Sequence, residues 1–496
     1  MVYGVDFLQY EDIIKIINNP SQGTFSDKSL SQIENSRNNV KKIIESGKTV
    51  YGINTGFGPL CDTRISENEI AQLQHNLIIS HSVGVGESIS KDLSKIMLAT
   101  KIHALSKGKS GISPHVVERL YQMLEKDIIP VIPSQGSVGA SGDLAPLAHM
   151  VLPLLGLGKV WQENKITETQ IVLEQHNLEP IQLGPKDGLA LINGTQFMQA
   201  HGIWGLDKMK YLLDLADLAA ALSLEAFQGS KSPFKKELHH LRPFKGSQLV
   251  AERLNKFLEN SENLKSHENC DRVQDPYSMR CTPQVHGASR NAWLHLKESI
   301  ETEINSVTDN PLVISEEEAV SGGNFHGQLI ALPLDYATFA AAEIGNISDR
   351  RCFLLLKGEY GLPRFLTKSS GLNSGFMIPQ YTTAALVTEN KTLCFPASAD
   401  SIPTSIGQED HVSMGSISGR KFIRVLENLE RILAIELLIA AQGIEFRRPN
   451  KLSILLEEAH SLIRTKVEKL EDDREIGKDI QSVIELVKSR AFNVAI

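Results

Sequence analysis

Three long stretches of this 496-residue chain carry apolar residues at helical spacing, and they limit the possible folds more than any other feature. Between Phe422 and Ala440, the apolar residues Phe422, Val425, Leu426, Leu429, Ile432, Leu433, Leu437 and Ala440 recur at three- and four-residue steps. Arg424, Glu427, Asn428 and Arg431 fall between them. That spacing predicts a long amphipathic helix with a face to bury. Met209 to Phe227 and Gln328 to Leu356 are apolar over so many turns that they suit the centre of a helical bundle, buried on several sides. Their length and apolarity also point to oligomerisation. Alternating strand patterns are few and no internal repeat is found, so the chain reads as mainly α. Breaks fall at Gly184 to Gly188, Phe227 to Pro233, Asn260 to Asp275 and Ser369 to Pro379, none of which resembles a flexible linker.

Charge and cysteine content exclude several classes of protein. The 51 basic and 59 acidic residues leave a net charge of −8, with no basic block to track a nucleic-acid backbone, so no nucleic acid is expected as partner. The opening Met1-Val2-Tyr3-Gly4-Val5-Asp6 lacks a secretory pattern, and no apolar run approaches the ~20 residues that span a bilayer. A cytoplasmic protein without a membrane segment is the expectation. Cys61, Cys270, Cys281, Cys352 and Cys394 are odd in number and scattered, and read as reduced structural thiols. His239-His240 sits in a Lys-rich segment with no third ligand nearby, so it reads as a solvated surface and no metal is expected.

The chemistry centres on Gly136-Ser137-Val138-Gly139-Ala140-Ser141-Gly142-Asp143-Leu144-Ala145-Pro146. No ordinary side chain is a good electrophile, but an Ala-Ser-Gly turn can make one from the backbone. The Gly142 amide nitrogen can attack the Ala140 carbonyl, since glycine has no Cβ to obstruct so tight a closure. Loss of water from Ser141 then leaves an exocyclic methylidene on a five-membered ring, 4-methylidene-imidazol-5-one, which can capture an amine. Asp143 is placed to move protons during closure. It also looks like the cap of a helix starting Leu144-Ala145-Pro146, whose N-terminus would favour negative charge on the electrophile. A phosphate cradle is the rival reading, with Ile128 to Ile132 as a strand and Leu144 to Leu155 as a helix. The glycines at 136, 139 and 142 do not fit G-x-G-x-x-G, and no Gly-Lys-Ser/Thr follows.

Further motifs extend over most of the chain: Tyr51-Gly52-Ile53-Asn54-Thr55-Gly56-Phe57-Gly58, Ser80-His81, Leu191 to Gln196, Val273 to Cys281, Thr308 to Pro311, Gly323 to Gly327, and Gln408 to Met414. With the loop at 136–146, this order of motifs resembles the aromatic amino acid ammonia-lyase family, and within it the members acting on histidine. The resemblance implies a long-helix bundle of the ammonia-lyase/fumarase-like type (197–496). A smaller N-terminal part (1–196) would carry the electrophile, the whole forming one continuous folding unit. It further implies a homotetramer whose active sites draw residues from several subunits. The Gly-Ser-Ser-x-Met-Pro-x-Lys-x-Asn signature of fumarase-type relatives is missing, Ser374 to Gln380 being only a partial echo.

The same resemblance suggests roles. Tyr51 matches the catalytic base, in a glycine-rich loop able to move over the site; a phenol titrating near 10 must be shifted down for that work. Arg280 matches the residue that grips the substrate carboxylate through two parallel hydrogen bonds. Tyr277 and Asn193 match residues bonding around the electrophile and substrate, and Gln274 would lie about one turn from Tyr277 if that segment is helical. Phe325 matches an aromatic residue beside the electrophile. His81 would bond a substrate imidazole, and Glu409 would accept its N–H or take its charge, where a phenyl ring gains nothing from a carboxylate. Phe395 departs from the pattern, standing where many histidine-specific members have a histidine; this bears on fine substrate preference. The expected reaction is non-oxidative deamination of L-histidine to trans-urocanate and ammonia, the first step of histidine degradation, without external cofactor. A tyrosine or phenylalanine lyase, an aminomutase, or a non-catalytic helical scaffold are the alternatives.

Overall fold

A computed structural model describes the chain except for residues 48, 57, 59–64, 67–68 and 269–271. Phe57 of the tyrosine loop, Cys61 and Cys270 therefore lie outside the described residues. The fold is mainly α, and the strongest helical patterns are realised: Gln196–Phe227, Gln328–Leu356 and Gly415–Glu445 enclose the three stretches read from periodicity. The chain divides into two compact units, the first made of Met1–Asp207, Leu296–Asp335 and Pro396–Arg420, the second of Lys208–His295, Tyr336–Phe395 and Lys421–Ile496.

In the first unit, the Lys91–Leu105 helix packs on Pro114–Glu125 and Tyr10–Asn18, while Leu144–Val151 packs on Asp187–Ile192 and Ile70–His81. Lys91–Leu105 is buried on all sides from Ile96 onward, so Thr100, Lys101 and His103 share its apolar surroundings. The sheets are small. Lys159–Gln162 pairs antiparallel with both Ile129–Pro130 and Lys165–Glu168, and Val85–Ser88 pairs with Pro133–Gln135. The last of these strands runs directly into the loop carrying Ala140, Ser141 and Gly142.

The second unit is helical and contains charge as well as hydrocarbon. Asp217 is fully buried and accepts from Arg253 Nε at 2.8 Å and Arg290 Nη2 at 2.5 Å, with His286 Nδ1 at 2.8 Å from its other oxygen. Burial alone would raise its carboxyl, but Arg290, His286 and Arg253 hold it well below the usual carboxylate range. Arg351 and Glu436, also fully buried, face each other through two bonds of 2.5 and 3.0 Å.

Two polar residues are more buried than the sequence suggests. Asn428, between the apolar positions of its helix, is fully buried because its Nδ2 donates to Asn390 Oδ1 at 2.9 Å. His239, expected at a solvated surface, is also buried, with Nε2 3.0 Å from the Pro233 carbonyl and Nδ1 3.4 Å from Ser247 Oγ. Asn428 finds its partner 38 residues away, whereas His239 finds its own in the neighbouring turn and helix, six and eight residues away. Cys281 and Cys352 carry free thiols, and the described residues contain no cluster suited to a metal and no helix long and apolar enough to cross a membrane.

Candidate active site

The loop from Ser137 to Asp143 is fixed by bonds to distant segments. Ser413 N and Met414 N donate to the carbonyls of Gly139 and Val138 at 3.3 and 2.9 Å, and Ser416 Oγ donates to that of Ser137 at 2.7 Å. On the other flank, Asp143 N donates to Gly194 O at 2.7 Å, and Gly194 N approaches Ser141 O at 3.5 Å. Gly142 has φ +74°, and a Cβ there would lie 2.0 Å from the Gly194 carbonyl oxygen, so only glycine can occupy the position. Ala140 is sealed in a small apolar cluster with Val412 and Met414. The helices Leu144–Val151, Gln196–Phe227 and Gly415–Glu445 begin at or next to these contacts, so their positive N-terminal ends gather around the loop.

Asp143 departs from its expected role. It stands at the N-cap position of Leu144–Val151, but its side chain makes no capping bond there. Its carboxyl instead accepts from Ser137 Oγ at 3.2 Å and from the backbone N–H of Met198, in the first turn of Gln196–Phe227, at 3.0 Å. Burial raises its pKa to about 7, against the opposing effect of these bonds.

Ser141 Oγ donates to Glu409 Oε1 at 3.1 Å, and Glu409 Oε2 accepts from Thr404 Oγ1 at 2.7 Å and Ser405 Oγ at 2.8 Å. His81 ends the Ile70–His81 helix, its Nδ1 3.0 Å from Ser80 Oγ. Burial pulls its pKa down, opposed by the Leu77 carbonyl and the Glu409 charge. Tyr51 is half-buried, its Oη accepting from Gly58 N at 3.2 Å, and Gly58 in turn lies beside Gln408, where a Cβ would stand 3.8 Å from Oε1. Tyr51, His81, Ser141 and Glu409, far apart in sequence, thus belong to one region. Asn193 is buried next to it, and its side-chain Oδ1 finds no protein donor among the described residues, as suits a group facing a ligand. Phe325 is half-buried in the turn before Gln328–Leu356, and among the described residues no hydrogen bond joins it to Ser141.

Tyr277, Gln274 and Arg280 form a separate group in the second unit. The Arg280 guanidinium lies over the Tyr277 ring at 4.7 Å, with its Nε buried and unpartnered among the described residues. Gln274 and Arg280 line a cavity of about 780 Å³. The conditional helical spacing of Gln274 and Tyr277 does not hold, because the short helix starts at Tyr277 and Gln274 lies in the irregular segment before it. Phe395 is largely exposed. Sequence reading missed Lys101, whose Nζ donates to the Asn193 carbonyl at 2.6 Å. The available signal was a lone lysine inside the apolar run Ile96 to Leu105.

The helical architecture and the restrained Ala-Ser-Gly turn together define an enzyme of the lyase class. Residues 8–465 match the profile of aromatic amino acid lyases, and the chain belongs to that family. It is 45% identical to histidine ammonia-lyase of Natranaerobius thermophilus over 97% of this chain and 95% of that protein. The crystal structure of histidine ammonia-lyase from Trypanosoma cruzi is 42% identical, with a TM-score of 0.91 over 99% of this chain and 94% of its own. Tyrosine aminomutase from Streptomyces globisporus is 34% identical, with a TM-score of 0.94 over 99% and 97%.

Proposed function

We propose that this chain removes ammonia from L-histidine without oxidation, yielding trans-urocanate as the first step of histidine degradation. The carrying observation is Glu409, whose carboxylate accepts from Ser141 and whose charge acts on His81. A carboxylate bonded to the reacting serine, with a histidine in reach of its charge, suits an imidazole ring, and the names of the histidine-specific relatives agree with this reading. A phenyl or phenol substrate would leave that carboxylate without a ring N–H to pair with.

The residues present fit the internal electrophile. Closure joins Gly142 N to Ala140 C; the Ala140 oxygen leaves as water with the amide protons of Gly142 and Ser141, and the Ser141 hydroxyl leaves as water with its Cα proton. Gly142 accommodates the turn because no side chain occupies the space against Gly194. Asp143, with a pKa raised to about 7, can both hold and release a proton beside it. The 4-methylidene-imidazol-5-one so formed supplies an electrophilic carbon for the substrate amine. In an active site drawing on several subunits, Tyr51 removes the β-proton, Asn193 and Tyr277 hydrogen-bond the bound substrate, Arg280 grips its carboxylate with Gln274 lining the same cavity, and Phe325 packs against its side. His81 and Glu409 orient the imidazole. The reading includes a homotetramer, supported by the exposed apolar stripe Leu329, Leu332, Tyr336 and Phe339 along one helix.

The test is ultraviolet detection of product from L-histidine, L-tyrosine and L-phenylalanine in parallel, with Ser141→Ala as control. Urocanate from histidine alone, lost in the control, supports the reading. Coumarate or cinnamate in its place would show Glu409 and His81 to be misassigned, and silence with all three would favour an aminomutase or a non-catalytic relative.

A further inference from the structure

Beneath the electrophile loop lies a buried cation with no part in the reaction as described above. Lys101 is 1% exposed, and among the described residues its Nζ has a single hydrogen-bond partner, the Asn193 carbonyl oxygen, at 2.6 Å. The charges acting on it are Asp309 and Lys186, which are paired with each other at 3.0 Å, and among the described residues no carboxylate is bonded to Lys101 itself. Desolvation of an unpaired ammonium is costly, and burial accordingly draws its pKa down to about 7. A merely structural lysine would snorkel or pair. Lys101 does neither, which requires an explanation.

Its bond to Asn193 provides one. The carbonyl it holds belongs to the same peptide group as the Gly194 N–H, and that N–H points at the carbonyl oxygen of Ser141. A cation on the oxygen of a peptide withdraws electrons from its nitrogen and strengthens the N–H as a donor. The Gly194 carbonyl, one peptide further on, receives the Asp143 N–H at 2.7 Å, so the 193–194 turn meets the loop at two points. When Gly142 N is joined to Ala140 C, the Ser141 carbonyl oxygen becomes the oxygen conjugated with the methylidene, the atom on which negative charge develops as an amine adds.

We propose that Lys101 is a positioning residue of the electrophile, acting through the Asn193–Gly194 peptide to place and polarise the N–H that faces the Ser141 carbonyl oxygen. This rests on the ring-forming reading of Ala140-Ser141-Gly142. Polarising that carbonyl acidifies the Ser141 Cα proton lost in maturation, and stabilises the same oxygen during turnover. Lys101 touches neither substrate nor the reacting carbon, so its effect falls on kcat and on maturation, leaving KM nearly unchanged.

The test compares full-length Lys101→Met, Lys101→Gln and Lys101→Arg with the unmodified protein. Intact mass of the denatured chain gives the fraction that has lost two waters, and histidine turnover per matured site gives kcat and KM. Lys101→Met should mature incompletely and lose about tenfold to a hundredfold in kcat per matured site at similar KM, less than removal of an oxyanion donor itself. Lys101→Arg, which keeps the charge, should recover most of this, and Lys101→Gln, a neutral donor, should fall between. Equal maturation and kcat in Lys101→Met would overturn the proposal, as would a loss confined to KM. If Lys101→Met does not fold, arginine against glutamine decides: a clear advantage for arginine supports the role of charge, and equality or the reverse order refutes it. An unmodified protein that never loses two waters would instead refute the ring-forming reading itself.

Discussion

Two buried polar regions of this molecule treat charge in opposite ways. Around Asp217 and Glu436 in the second unit, each buried carboxylate meets cations with short bonds, and Asp217 is held well below its ordinary pKa. Around the Ala-Ser-Gly loop in the first unit, Asp143 and Lys101 are equally buried but bond only to neutral groups, and both are pushed to about 7 from opposite sides. Matched burial with mismatched pairing separates a region that fixes the fold from one that can exchange protons near neutrality.

The largest expected effect would test the structural half of this contrast. Glu436→Gln leaves the Arg351 guanidinium buried without its counter-charge and should cost about 3–5 kcal/mol of unfolding free energy in denaturant titration, while kcat per folded molecule stays unchanged. A collapse of kcat at unaltered stability would abolish the distinction. Next, Glu409→Gln should reverse the pattern, lowering kcat for histidine about a hundredfold with little change in melting temperature, because its partners Thr404 and Ser405 are hydroxyls that an amide can still bond.

The pH dependence sharpens the comparison further. A carboxyl raised in the folded state from 3.8 to about 7 binds a proton that the unfolded chain has released, so Asp143 makes stability fall as pH rises between these values. Asp143→Asn should remove about 2 kcal/mol of that fall between pH 5 and 7, read from denaturant midpoints across the range. Asp217 has the opposite sign: its contribution is present above the ordinary carboxylate range and is lost as pH falls. The smallest effect belongs to an exposed pair. Arg424→Ala removes a surface contact with Glu389 at 3.1 Å and should shift stability by about 0.5 kcal/mol or less, a baseline for the buried substitutions.

How much of this could be read in advance follows from the range of the forces involved. Gln328–Leu356 was delimited by apolar content alone, since a helix buried on several sides writes its environment into every residue. The Ala-Ser-Gly turn was legible because its chemistry is local. Glu409, 268 residues from Ser141, was identified by family resemblance, and no spacing rule would have joined them. The direction of the Asp143 carboxyl, the burial of Asn428 and the place of Lys101 were hidden for one reason: each depends on a partner supplied by another segment. A lone lysine in an apolar run looks alike in sequence whether it reaches solvent or a carbonyl 92 residues away.

The loop that bears the serine is held by two segments that both follow it in the chain. Its partners lie at Gly194 and Met198 on one side and at Glu409, Ser413, Met414 and Ser416 on the other, the last of them beyond residue 400 of 496. A ribosome must therefore release most of the polypeptide before the turn acquires its final shape. Until then the growing chain displays an unremarkable serine, and on the ring-forming proposal its reactive centre would arise only after long-range folding has been achieved. On that proposal, maturation so timed would act as a built-in proofreading step, and a chain truncated before the last of these anchors should remain chemically inert.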